Sequence, residues 1–449
     1  MSEHLQMNSS DTIVAVASGG GRAAISVLRI SGPETDTILR RLTGSLPPQR
    51  QASLRTLRDR HGEVLDRALI LRFVAPASYT GESSAELHLH GGRAVTVGVL
   101  KALDQLGLSR LAQPGEFTRR AFLNGKLDLS EAEGVVDLID AETDAQRRQA
   151  LRQLDGALSQ QVEHWREQLI AILAYLDASL DFSDEADVPE GLVPQARQMA
   201  SNVKGELEKT LDDRGRGERL RDGFTVVIAG PPNAGKSTLM NRIAGDEVAI
   251  VSPIAGTTRD IIEVRCDLGG LPVVVIDTAG LRESDDVIEQ EGVRRAKQRA
   301  SLADLVLYLV PINDLAPSRL HLEQELGRSE ILVIGTKKDL FRSPSEDNYD
   351  LTVSAETDDG IEALLALIKE HVSERFDGSV SLVTRERHRI ALMETLTHLN
   401  RALALPDHAP TEILAEDIRL ATRSLGKITG RVGVEDILDK LFSGFCIGK

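Results

Sequence analysis

The chain has 449 residues, 41% hydrophobic and 27% charged, with a net charge of −16 and two cysteines, Cys266 and Cys446. That length suggests roughly three domains, and no apolar run is long enough to span a bilayer. The acidic balance argues against a protein that coats nucleic acid, so any RNA contact needs a local patch or a partner. The cysteine count argues against a disulfide framework and fits a reducing cytoplasm.

In chain order, Met1 to Ser10 lacks the basic and apolar regions of a signal peptide. Residues 12–31 and 68–91 alternate short apolar runs with Gly, Ser and Pro, the rhythm of a compact α+β or α/β unit with strands such as Ala68–Phe73 and Ala85–His90. From about Ser130 to Leu180 the pattern is helical, with Leu169, Ile172, Leu173 and Leu176 on one stripe. The charged, glycine-bearing segment 214–223 reads as a boundary. A βα alternation then runs from 224 to about 375, through Phe224–Ala229, Val273–Ile276, Asp304–Val310, Ile331–Gly335 and Leu351–Val353. It predicts a mostly parallel sheet with a ligand at the strand carboxyl ends. Residues 385–405 and 411–426 are helical again, which predicts one helical domain made of two segments with the α/β domain inserted between them.

The chemistry concentrates in the inserted domain. Gly230-Pro-Pro-Asn233-Ala234-Gly235-Lys236-Ser237 fits the phosphate-loop pattern between an apolar strand and a helix that continues through Thr238. Consecutive N–H groups and the helix N-terminus suit a polyphosphate. Lys236 would reach the β/γ-phosphates and the Ser237 hydroxyl would bind magnesium. Asp277-Thr278-Ala279-Gly280 follows the next strand; Asp277 would hold magnesium through water and Gly280 would sense a γ-phosphate. Between them, Gly256-Thr257-Thr258 offers a second magnesium ligand, Thr258 in preference to Thr257. Thr336-Lys337-Lys338-Asp339 occupies the place of the guanine-reading N-K-x-D motif, with threonine where asparagine is usual, and Ser354-Ala355 resembles the last guanine-contact loop. Asp339 would accept hydrogen bonds from the guanine N1–H and amino group, and the Thr336 hydroxyl would replace part of the asparagine's bracing. The set indicates GTP rather than ATP.

The residue after D-x-x-G is Leu281, which cannot orient water as the glutamine of Ras-like GTPases does. Glu289 is a candidate for that task, against the alternative of a solvated acidic face. A monovalent cation at Asn233, Arg259 or Arg282 would supply the positive charge that an arginine finger gives elsewhere. His88 and His90 point the same way along a strand but lack partners for a metal site, Arg294–Arg299 reads as a wet helix face, and Trp165 reads as packing.

These motifs, with Asp11-Thr-Ile-Val, Leu28-Arg-Ile-Ser-Gly32, Ser78-Tyr-Thr-Gly-Glu82, His90-Gly-Gly92, Pro114–Asn124, Lys126–Leu129 and the terminal Phe445-Cys-Ile-Gly-Lys449, closely resemble the MnmE (TrmE) family of tRNA-modification GTPases over nearly the whole chain. The resemblance implies a multidomain α/β and α protein: an N-terminal α+β folate-binding and dimerisation domain (1–124), a helical domain in two segments (125–217 and 379–449) and an inserted Ras-like G domain (218–378). It implies a cytoplasmic homodimer, with no membrane association, that joins a flavoprotein, MnmG (GidA), in a heterotetramer or larger complex. Together they would add a carboxymethylaminomethyl-type group at carbon 5 of the wobble uridine of certain tRNAs.

The resemblance further implies potassium ligands at Asn233, Ser252, Ile254 and Thr257, with Pro253 and Ala255 in the same GTP-binding loop, magnesium at Ser237 and Thr258, and water positioning by Glu289. It implies a 5-formyltetrahydrofolate site at Arg29, Glu86, Lys126 and Lys449. Cys446 reads either as a nucleophile towards a one-carbon unit or as a packed thiol. The alternatives are a GTP-dependent ribosome-assembly switch, disfavoured because acidic and neutral helices follow the G domain, and a folate enzyme in which GTP only regulates.

Overall fold

The computed structural model describes residues 11–19, 21–181, 191–213, 215–250, 263–277, 303–314, 317–326, 330–341, 348–376, 381–432, 438, 441–445 and 448. The chain divides into two compact units, one of residues 1–136, 154–197 and 401–449 and the other of 137–153 and 198–400.

The first unit opens with β1 (Ile13–Val16), β2 (Ile25–Ser31), α1 (Thr35–Thr43), β3 (Ser53–Arg58), β4 (Val64–Phe73), β5 (Ser84–His90), α2 (Arg93–Leu106), β6 (Arg110–Leu111) and α3 (Glu116–Leu123). The strands form a six-stranded sheet in the order β3-β4-β5-β2-β1-β6, antiparallel except where β6 runs parallel to β1. Alternation decides the faces: Leu28, Ile30, Ala68, Ile70, Leu87 and Leu89 are fully buried in one core with Ile38, Leu39 and Leu103 of the helices.

Beyond α3 come α4 (Leu129–Asp140), α5 (Asp144–Leu154), α6 (Ala157–Asp181), α7 (Leu192–Leu211) and α8 (Arg216–Asp222). In α6 the predicted stripe is buried at Leu169, Ile172 and Leu176, continues back to Trp165, Val162 and Leu158, and leaves Leu173 at its half-buried rim. The segment read as a boundary contains a helix, α8, because polar contacts substitute for the missing apolar stripe. Buried Gln146 and Gln149 of α5 donate to the Arg221 and Gly217 carbonyls of α8 at 2.9 and 3.0 Å.

The second unit carries β7 (Phe224–Ala229), α9 (Lys236–Ala244), β8 (Glu263–Asp267), β9 (Pro272–Asp277), β10 (Leu305–Pro311), α10 (Arg319–Leu326), β11 (Ile331–Thr336), β12 (Leu351–Thr352) and α11 (Ile361–Phe376). Its six-stranded sheet has the order β12-β11-β10-β7-β9-β8 and is parallel except for the β8–β9 hairpin. The near-continuous apolar runs of β7, β10 and β11 follow from burial on both faces. Helices α12 (Glu386–Ala404) and α13 (Thr411–Thr429) follow, and α13 packs along α6 in the first unit.

A buried ionic cluster ties the start of the first unit to α3. Arg120 is 5% exposed and reaches Asp11 at 2.6 Å, Glu116 at 2.9 Å and Glu82 at 3.1 Å. Arg110 reaches the same Glu116 at 2.6 Å. Burial pushes the Glu116 and Asp11 carboxyls up, but hydrogen bonds from Arg110 and Arg120 outweigh it and hold both below the usual range. Because the folded pKa values are depressed, the cluster's stability is present above the unfolded values of about 4 and is lost as pH falls through the folded ones. Glu116→Gln is therefore expected to cost the first unit about 3 kcal/mol at neutral pH, since it leaves buried guanidinium charge underpaired. Calorimetric melting between pH 7 and pH 3 should show a lower transition for the variant and a shallower acid limb than for wild type.

Candidate functional site

The parallel sheet gathers the predicted nucleotide residues at the carboxyl ends of neighbouring strands. β7 runs into the loop Gly230–Gly235, and α9 begins at Lys236. Gly230 has φ +140°, and a Cβ there would stand 2.3 Å from the Leu309 carbonyl of β10, so only glycine lets the loop leave the sheet in this way. Asn233 adopts the left-handed conformation (φ +61°) with an exposed side chain, and Ala234 is buried beneath the loop. Lys236 Nζ donates to the Gly230 and Pro231 carbonyls, both at 2.8 Å, which folds the ammonium group over the loop.

Asp277, 1% exposed, ends β9. The Ser237 hydroxyl donates to its Oδ2 at 3.1 Å. These are two hard oxygen groups at the mouth of the phosphate loop, the donor chemistry that magnesium prefers.

β11 delivers the guanine motif. Thr336 is buried, and its hydroxyl donates to the Ala234 carbonyl at 2.7 Å. The bracing expected of the threonine is therefore present on the phosphate-loop side. Lys337 takes the left-handed conformation (φ +61°) and turns the chain so that Asp339 is exposed. Ser354, beyond β12 and 1% exposed, donates to Asp339 Oδ1 at 2.6 Å, and Ala355 follows it at the same end of the sheet. Asn233, Ala234, Gly235, Lys236, Ser237, Thr238, Asp277, Thr336, Lys337, Asp339, Ser354 and Ala355 thus converge. Ser252, Pro253, Ile254, Ala255, Gly256, Thr257, Thr258, Thr278, Ala279, Gly280, Glu289, Cys446 and Lys449 lie outside the described residues.

A second constellation occupies the first sheet. Arg29 and Glu86 are cross-strand partners on β2 and β5 and pair at 2.9 Å. The Arg29 guanidinium lies 5.4 Å from the Tyr79 ring centroid and 5.7 Å from that of Phe117, within cation–π range. Burial raises the Tyr79 phenol above its ordinary pKa, and its hydroxyl bonds that of Thr118 at 2.9 Å. Lys126 is exposed, and its Cε would lie 3.4 Å from a Cβ on Gly81, beside this cluster's loop. Tyr79 and Phe117 carried no assigned role in the sequence; their signal was their place inside two of the quoted motifs. Half-buried Arg29 and Glu86 beside the exposed Tyr79, with Phe117 buried beneath them, fit a flat, hydrogen-bonding heterocycle with an anionic tail.

The chain end returns to this sheet. Phe442 and Phe445 pack with Leu129 and Ala132, and a Cβ on Gly448 would stand 2.2 Å from the Val16 carbonyl of β1. Among the described residues no cluster of three or more metal-ligating side chains occurs, at His88 and His90 or elsewhere.

Comparison with known proteins extends these observations. Residues 12–126 match the family model described as "GTP-binding protein TrmE N-terminus", and residues 129–446 match "MnmE helical domain". The chain is 53% identical to a tRNA modification GTPase MnmE of Methylobacterium radiotolerans, over 99% of this chain and 100% of the relative. It is 54% identical to the protein of that name in Methylorubrum populi, over 98% of each chain. With that of Paramagnetospirillum magneticum it shares 52% over 98% of this chain and 100% of the relative.

The Thr336–Ala234 bond yields a test. Thr336→Val leaves a buried carbonyl without its donor, a loss of about 1–3 kcal/mol. Fluorescent guanine-nucleotide release should accelerate by roughly tenfold or more in Thr336→Val and stay near wild type in Thr336→Ser, which keeps the hydroxyl.

Proposed function

The chain belongs to the MnmE family of tRNA modification GTPases, and from that premise we propose that it hydrolyses GTP in the service of wobble-uridine modification. The observation that carries the nucleotide half of this reading is the Thr336–Ala234 hydrogen bond, which makes the phosphate loop and the guanine motif parts of one site. The tRNA half rests on full-length similarity to proteins of that name.

In this reading Lys236 exchanges its two loop carbonyls for the β/γ-phosphate oxygens, and Asp339, steadied by Ser354, selects guanine. Ser237 and Thr258 would hold magnesium, with Asp277 a further ligand through water, and the ion would supply charge neutralisation at the phosphates. Asn233, Ser252, Ile254 and Thr257 would hold potassium, whose charge would supply what an arginine finger gives elsewhere. Gly280 would sense the γ-phosphate, Thr278 and Ala279 would belong to the same GTP-binding segment, and Glu289 would orient the attacking water.

Arg29, Glu86, Lys126 and Lys449 bind 5-formyltetrahydrofolate or a related folate. The Arg29–Glu86 pair over Tyr79 and Phe117 supports this, as does the packing of Gly448 against β1, one residue from Lys449. Glu86 Oε1 accepts from Arg29, and Oε2, 3.6 Å from His88 Nε2, would be the oxygen to meet a pterin N–H. Cys446 is the candidate nucleophile towards the one-carbon unit. We assign the domains to residues 1–124, 125–217 with 379–449, and 218–378. The protein acts as a cytoplasmic homodimer with the flavoprotein MnmG, and together they install a carboxymethylaminomethyl-type group at carbon 5.

Nucleoside mass spectrometry of bulk tRNA checks the reading. Deleting the gene should abolish the carbon-5 aminomethyl wobble uridines, the wild-type gene should restore them, and Lys236→Ala should not. Unchanged wobble uridines in the deletion strain would overturn the proposal and favour the ribosome-assembly reading.

A further inference from the structure

The charge of the chain is unevenly divided. Residues 11–127 carry 16 Lys and Arg against 10 Asp and Glu, a surplus of +6 within a chain of net −16. Most of the acidic surface therefore repels a polyanion, and the first sheet domain is where one can approach.

Within that domain the end of the β3–β4 hairpin exposes its arginines, while Arg72 farther along β4 is part-buried against Asp36. Arg58, Arg60 and Arg67 are exposed, and no ion pair involving them occurs among the described residues. Arg58 donates to the Gly62 carbonyl of its own loop, and Arg60 Nε lies 3.0 Å from His61 Nε2. Two carboxylates of the hairpin are engaged internally. Asp59 Oδ1 accepts the His61 and Glu63 backbone N–H groups, both at 2.9 Å. Asp66, 7% exposed at its side chain, accepts from the backbone N–H groups of Arg67 and His90 and bonds His90 Nδ1 at 2.7 Å. Burial raises its pKa, but those bonds prevail and hold it below the usual range, so the carboxylate stays inward and charged. The His90 ring is 72% exposed beside it, and Arg93, also exposed, follows at the start of α2. Glu63 is the hairpin's remaining carboxylate, and it is exposed.

We propose that the end of the β3–β4 hairpin, with Arg58, Arg60, Arg67 and Arg93, is a surface that binds tRNA through its phosphates. Exposed guanidinium groups without carboxylate partners, on a rigid sheet, suit bidentate contact with phosphate oxygens and impose no base sequence. The proposal rests on the tRNA-modification reading and adds where this acidic chain touches RNA.

The test measures binding of unfractionated tRNA to the full-length protein as salt is varied, by fluorescence anisotropy. Each phosphate contact contributes about one unit to the slope of log affinity against log salt. Replacing Arg58, Arg60 and Arg67 together by Gln should lower that slope by about three and weaken binding by at least tenfold near 0.1 M salt. The triple Lys variant should retain most of the binding, and GTP hydrolysis should be unchanged in both. An unchanged slope in the Gln variant, equal losses in the Gln and Lys variants, or wild-type binding to anionic lipid vesicles but not to tRNA would each overturn it. The tRNA-modification reading is judged separately, by the wobble-uridine content of the deletion strain.

Discussion

The hydrogen bond from the buried Thr336 hydroxyl to the Ala234 carbonyl is the constraint on which the nucleotide site depends. Without it, the phosphate loop after β7 and the guanine motif after β11 would be separate loops on one sheet. A carbonyl in a tight loop has few other donors to choose from once it is buried, so the loop's shape and the motif's position are set together. Asparagine, usual at this position, offers both a donor and an acceptor; threonine's hydroxyl commits its single proton to Ala234. Asp339, the residue proposed to read the base, has its carboxylate steadied by Ser354 at 2.6 Å.

Much of this was legible in the sequence because its signals are local. Strand–glycine–helix spacing located the loop, apolar runs located β7, β9, β10 and β11, and the i, i+3, i+4, i+7 stripe located α6. What the sequence did not disclose depends on tertiary partners. α8 is charged and glycine-bearing, a loop by composition, and it is helical where glutamines of α5 take up its carbonyls. Strand ends are less legible: β4 begins at Val64 rather than Ala68, β7 matches Phe224–Ala229, and Asp304 and Val353 lie one residue outside β10 and β12. Tyr79 and Phe117 gain a role only because the sheet brings Arg29 within cation–π range of both, since no spacing in the chain connects the three.

The first domain solves a different electrostatic problem from the second. It buries charge, and it can do so because Arg110 and Arg120 share Glu116, while Asp11 and Glu82 complete the shell. Such a cluster gives geometric specificity more than net stability, because desolvation offsets much of the Coulomb attraction. It fixes α3, which carries Phe117, relative to the first strands, and thereby holds the aromatic floor beneath Arg29. Outward-facing arginines on the same sheet carry none of that structural duty and remain available to an external anion.

Cys266 sits in β8, paired with Val273 of β9 and bridged on its other side to Ala249. It is 1% exposed, and burial, then the Asp246 charge, pushes its thiol up to about 11. At neutral pH only about one molecule in ten thousand would present a thiolate, and that thiolate is sealed inside the core. An alkylating reagent can therefore reach it only when β8 detaches from the sheet. With reagent in excess, the labelling rate at Cys266, read apart from that at Cys446, becomes the opening rate of that edge, so the protein carries an intrinsic clock for local unfolding.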